Sequence, residues 1–294
     1  MPPLTLFDSA KPARASALAL FVVLHLGLKA VFFSVPFYVH VARPVELATA
    51  GVVTPIVLAA LIEVVLLVGV VMVGYGGLRL RDLGLSGDHV PTAVIVTLFV
   101  WGGVQAVLSV LAASAQFEPA LNPEVAIGPE RFSGKLLETT LGSAFIEEVM
   151  YRGFLVPQLY LLARAWTPSR TVQAAVALGL PQLYFGLNHV PAALRMGIPA
   201  SEAAVYVVHV ILVGFLFAAF YLRTGNLFVA IAAHALVNNP MPVVVAGPDP
   251  SLLALVGVCL LLLAWPTLHR RFDEVFTLAG GGVPAHPRPP GTGG

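Results

Sequence analysis

From residue 17 to residue 267 the chain is a succession of apolar stretches about twenty residues long, separated only by short polar breaks. A helix rises about 1.5 Å per residue and the hydrocarbon core of a bilayer is about 30 Å thick, so each stretch has the length of a span. Lipid offers no partner to a backbone N–H or C=O, which leaves the helix as the form such a run takes in a membrane. The sequence therefore predicts an all-α fold, a polytopic transmembrane helix bundle of about eight spans. They are placed at residues 17–41, 52–74, 91–113, 136–163, 171–189, 203–222, 226–246 and 251–268. The first is too long, with too little basic flank, for a cleaved leader, and is read as a retained span. Charged residues make up 11% of the chain, against about 25% in a soluble domain, too few to coat a water-soluble globule.

Orientation follows from the basic residues. With the N-terminus inside, the inner segments hold Lys11, Arg14, Arg79, Arg81, Arg164, Arg170, Arg223, Arg270, Arg271 and Arg288. The outer loops hold only Arg43, Arg131, Lys135 and Arg195. Both termini are expected in the cytoplasm, in a multi-pass protein of the plasma membrane whose first partner is the lipid bilayer. Net charge is +1 and no basic run tracks a phosphate backbone, so nucleic acid is not an expected partner. The single cysteine, Cys259, lies in an apolar stretch and excludes both an internal disulfide and a CxxC metal site. The GLSG at residues 84–87 is not a GxSxG elbow and gives a serine protease no support.

A charge near the bilayer centre costs several kcal/mol, so each one calls for a partner or a task. The fourth span contains FIEEVMYRGF, with Glu147, Glu148 and Arg152 on one helix. Glu148 and Arg152 are four apart and share a face, so Arg152 neutralises Glu148 and leaves Glu147 pointing elsewhere as the unpaired carboxylate. In the fifth span Phe185 and His189 are four apart, and in the seventh His234 and Asn238 are four apart. Together Glu147, His189, His234 and Asn238 comprise a base, two imidazoles and an amide donor, a set able to hydrolyse a peptide bond. Lys29 and Glu63, near the middle of neighbouring antiparallel spans, are expected to form a buried ion pair. His25 and His209 are read as core histidines.

E-E-x-x-x-R at 147–152, F-x-x-x-H at 185–189 and H-x-x-x-N at 234–238, in that order on separate apolar helices, resemble the three motifs of the CPBP intramembrane proteases. That family includes the CAAX prenyl endopeptidases and bacteriocin-processing and self-immunity relatives. The resemblance implies an intramembrane endopeptidase acting on a membrane-associated peptide or protein. In it Glu147 activates water, His189 helps hold or polarise that water, and His234 and Asn238 stabilise the oxyanion. Glu148 and Arg152 are architectural, and Phe185 shapes the site beside His189. Metal dependence stays open: the cofactor is either none or a divalent metal such as zinc, which would fall to Glu147, His189 and His234.

The chain then divides into a cytoplasmic N-terminal segment (1–16), N-terminal transmembrane helices with an outside loop (17–135) and a CPBP-like four-helix catalytic core (136–246). A last transmembrane helix with a basic end (247–278) and a Gly/Pro tail expected to be disordered (279–294) complete it. On the residues alone, a proton-coupled transporter using Glu147 and the histidines as a relay is an alternative. A non-catalytic membrane scaffold or immunity factor is another. One feature fits poorly: the drawn spans put His189 at the outer end of the fifth, on the order of 10 Å in depth from Glu147. A kink at Pro181, a tilt, a shifted boundary or a re-entrant path would each close that gap.

Overall fold

The computed structural model describes residues 6–114, 117–126 and 128–278, with side chains described except at residue 200 and residues 269–278. The tail at 279–294 lies outside the described residues. The described chain is almost entirely helical, as the apolar runs require: α1 (Ala15–Phe32), α2 (residues 35–48), α3 (Pro55–Tyr75), α4 (Val90–Ala113), α5 (residues 129–166), α6 (Arg170–Leu187), α7 (Ala200–Thr224), α8 (Leu227–Asn238) and α9 (Pro250–Leu278). Its one strand pairing is a two-residue antiparallel contact, Ala120 with Val245 and Leu121 with Val244.

Among the described residues, five helices are long and apolar enough to cross a membrane: α1, α3, α4, α7 and the Pro250–Leu268 part of α9. The count of eight spans drawn from the sequence is not confirmed by this measure. α5 is long but carries the motif charges, α6 turns two buried glutamines, Gln173 and Gln182, into the bundle, and α8 is a short apolar helix. The first run, drawn to residue 41, breaks after Phe32. Proline is well placed in a helix's first turn, and here Pro36 sits in the first turn of a new helix whose cap is Ser34, extended in backbone and accepting a hydrogen bond from the Phe37 N–H.

α6 packs between α5 and α7, and α8 packs against α4, α5 and α7, so the three motif-bearing helices are neighbours around one interior. Phe154, Tyr160, Phe217, Phe220, Leu67 and Met72 are fully buried there. Neighbouring segments approach closely at Gly134, where a Cβ would overlap the Gly51 carbonyl, at Gly186, where it would crowd the Ile211 side chain, and at Gly153, where it would lie 2.5 Å from the Leu83 carbonyl oxygen. α5 itself contains wide, π-type turns at Glu138–Phe145 and Val149–Leu155, on either side of Ile146–Glu148. Such turns concentrate at functional positions in helices.

One end of the bundle is tied together by polar contacts to the N-terminal segment. Tyr160 donates its hydroxyl to Asp8 at 2.6 Å, Arg170 reaches both of them, and Gln158 bonds the backbone of Lys11 and Ala13. The Tyr160 hydroxyl, followed by Arg170, holds the Asp8 carboxyl below the usual carboxylate range. At the opposite end Asn122 bonds Pro242 and Val243, and Asn239 donates to Glu124 at 2.7 Å.

Candidate active site

Arg152 organises the interior. Its guanidinium donates to Glu148 at 2.9 Å, to the side-chain oxygen of Gln182 at 2.8 Å and to the Gly214 carbonyl at 2.7 Å, and so joins α5, α6 and α7. Its flat face lies 4.8 Å from the Phe185 ring centre and 5.7 Å from that of Phe217. A planar fork with several donors suits this role, since each bond lands on a fixed acceptor. The i, i+4 pairing expected from the sequence is present, with both side chains at 0% exposure.

Glu148 Oε1 also receives His234 Nδ1 at 2.8 Å. A carboxylate only accepts, so the proton is on Nδ1. The His234 ring stacks on Phe217, with centres 4.2 Å apart and planes 17° apart, and its Nε2 stands 3.6 Å from Glu147 Oε2. His189 is held in a parallel way. Its Nδ1 donates to the Phe185 carbonyl at 2.8 Å, its ring meets the Phe185 ring edge-on, and its Nε2 lies 3.9 Å from Glu147 Oε1. Two imidazoles, one from the turn after α6 and one from α8, thus turn their Nε2 atoms toward opposite oxygens of one carboxylate.

Glu147 faces a cavity of about 410 Å³ whose walls include His189, His234, Asn238 and Ser143. Asn238 Nδ2 donates to Ser143 Oγ at a long 3.3 Å. The structure therefore brings together all four candidate residues, and Phe185, Glu148 and Arg152 stand directly behind them. The 10 Å depth gap drawn for His189 is absent. The drawing assigned depth from position along each span alone, whereas the packing of α6 against α5 brings His189, in the turn that follows α6, beside Glu147.

Several contributors were not singled out from the sequence. Gln182 and the Gly214 carbonyl complete Arg152, Phe217 supports His234, and Ser143 holds Asn238. His209, read from the sequence as a core histidine, is instead exposed on α7 and lines the cavity with Tyr206, Val210, Val213 and Phe217. The spacing of those residues along one helical face was the signal available.

The residue types at the centre are those that hold zinc, and each histidine's second nitrogen is anchored as metal ligands usually are. Among the described residues, however, no three such side chains close into a metal-ligand cluster.

Residues 130–239, which contain all three motifs and the contacts among them, match the family model described as Rce1-like, type II CAAX prenyl endopeptidase Rce1-like. Those residues form an Rce1-like domain. The match agrees with the resemblance read from the motifs, and the Rce1-like domain runs from the start of α5 to the residue after α8. α1 to α4 and α9 lie outside it. No curated protein and no solved structure matches the chain.

Proposed function

We propose that the chain is an intramembrane endopeptidase that hydrolyses a peptide bond in a membrane-associated peptide or protein. The observation that carries this reading is the setting of Glu147: it is the one carboxylate of the Glu147–Glu148 pair that faces the cavity, with an imidazole Nε2 beside each oxygen. Glu148 holds Arg152 and His234 through Oε1, is fully buried and does not line the cavity.

In this reading a water sits between Glu147 and His189. Glu147 takes one of its protons as the water oxygen attacks the scissile carbonyl carbon, while His189 Nε2 accepts a hydrogen bond from the other and fixes its direction. The C=O electron pair moves to oxygen, and that oxyanion is met by Asn238 Nδ2 and by His234 Nε2–H. With Nδ1–H already given to Glu148, His234 donates from Nε2 only as the imidazolium, which the Glu148 carboxylate stabilises. Collapse breaks the C–N bond, and the proton on Glu147 passes to the departing amine. Fixed donors at a developing charge are commonly the largest catalytic contribution.

Val210, Val213, Phe217 and Val237 give the cavity apolar walls, which favour an apolar segment around the scissile bond. The family description makes a prenylated peptide with a CAAX end the first substrate to try, beside other lipid-anchored peptides. The test uses the purified full chain in detergent with internally quenched peptides of this kind. Glu147→Gln keeps shape and hydrogen bonding but removes the base, and it is expected to lower kcat by about 10²- to 10⁴-fold. Undiminished turnover by a folded Glu147→Gln protein would overturn the assignment.

A further inference from the structure

A second buried polar cluster lies outside the Rce1-like domain, and the chemistry above does not use it. His25 on α1 is fully buried, and its Nδ1 is 2.7 Å from the Tyr184 hydroxyl on α6. Its Nε2 lies 3.8 Å from Glu63 Oε1 on α3, and the same oxygen is 3.1 Å from Lys29 Nζ on α1. The ion pair expected between Lys29 and Glu63 is therefore present, and it continues through His25 to a residue of the motif helix. A carboxylate facing Nε2 favours a proton on that nitrogen, which leaves Nδ1 to accept from the Tyr184 O–H.

The position of Tyr184 gives this contact its consequence. Pro181 lies inside α6, where proline removes the backbone donor that would bond the Ala177 carbonyl and crowds that preceding turn, so the end of α6 from Pro181 onward is tied less firmly to the rest of the helix. Two side chains tie that turn from outside. Gln182 accepts from Arg152, and Tyr184 meets His25. The next residue is Phe185, whose carbonyl receives His189 Nδ1 and whose ring packs on the His189 ring. The path from the N-terminal helices to the site is thus short: Glu63, His25, Tyr184, then the Phe185 backbone and His189.

We infer that His25, braced by Glu63 and Lys29, is a positioning residue for His189 and acts through Tyr184. The inference rests on the proposed peptidase reading for its effect on turnover, and on the structure alone for its effect on the His189 ring. The N-terminal helices then do more than complete the bundle: they set the angle at which one imidazole meets Glu147. A reacting group misplaced by about 1 Å costs up to about a hundredfold in rate, whereas binding of the substrate's apolar flanks is untouched.

Tyr184→Phe is the mildest test, because it keeps the ring that packs on Tyr151 and His25 and removes only the hydroxyl. It is expected to lower kcat on the quenched lipopeptides by about ten- to a hundredfold, with KM within about twofold. His25→Phe is expected to do the same, while His25→Gln, whose amide still reaches the hydroxyl, restores most of the rate. The independent readout is NMR of histidine-labelled protein in micelles, with the His189 signal identified by its loss in His189→Asn. Tyr184→Phe is expected to shift or broaden the His189 signal and leave that of His234 in place. An unmoved His189 signal overturns the inference whatever the kinetics. If the wild-type chain cleaves none of the peptides yet the His189 signal moves, the positioning contact stands and the peptidase reading falls.

Discussion

Arg152 is fully buried and carries a cation's cost of burial, which is offset there because three acceptors from three helices meet its fork. Removing one partner of a buried pair leaves the other charge uncompensated, which destabilises by about 3–5 kcal/mol. Arg152→Ala is therefore expected to lower the unfolding midpoint in detergent steeply. Arg152→Lys should recover only part of the loss, since a point charge on a flexible stem does not reach Glu148, Gln182 and Gly214 together. Reversible unfolding followed by circular dichroism measures both, and wild-type stability in Arg152→Ala would contradict the account. The Glu148 contact was legible in the sequence because four-residue spacing is a property of one helix. The contacts from Gln182, Gly214 and Phe217 were not, because they depend on how α6 and α7 lie against α5. His234 shows the same division: its motif marked it, but its bond to Glu148 required α8 to be placed beside α5.

α8 is a short helix that carries two candidate residues, His234 and Asn238, so its ends matter more than those of a full span. Asn226 caps its start, accepting from Phe228 N at 2.9 Å and Val229 N at 3.3 Å while its amide donates to the His89 carbonyl at 2.8 Å. Asn226→Ala removes the cap and strands a buried carbonyl, for a cost of about 1–2 kcal/mol. Cleavage is expected to fall as well, because fraying of the first turns loosens the helix that holds His234. A cap variant with unchanged thermal stability would show that the helix start is held by something else. The end of α8 was misjudged from hydropathy, which runs on through MPVVVA to residue 246. Asn239 precedes Pro240 and takes extended backbone instead, as a residue before proline is pushed to do. Apolarity identifies what lipid or the core accepts; the local backbone decides where a helix stops.

Across the whole molecule, polar contacts sort the loops into two ends, and this makes orientation a question about one rigid bundle instead of separate segments. Asp8 meets Arg164 and Arg170, the Arg14 backbone bonds Gly76, and Asn226 bonds His89, so residues 6–14, 76–90, 158–173 and 221–229 share one end. The Asp8 contacts give that end an acid-sensitive tie. With its folded pKa depressed below 3.8, Asp8 contributes stability that is present above about that pH and lost as pH falls through the lower folded value. Asp8→Asn should flatten this part of a stability-versus-pH curve, and an unchanged curve would remove Asp8 from the account. The same end carries Lys11, Arg14, Arg79, Arg81, Arg164, Arg170 and Arg223, against Arg43, Arg131, Lys135 and Arg195 at the other. An excess of basic residues marks the cytoplasmic side, so the first end is expected inside. Asn238 and Ser251, at the end of α8 and the start of α9, lie on the cavity wall, so in that orientation the cavity is expected to be reached from the second end, away from the cytoplasm. Single cysteines at 131 and 195, in a Cys259→Ser background, should then react with an impermeant maleimide on intact cells, whereas cysteines at 79 and 164 should react only after lysis. The reverse pattern would invert the bundle and deliver substrate from the cytoplasm. The internal geometry of Glu147, His189 and His234 would be unchanged, since their mutual distances do not depend on which way the bundle points.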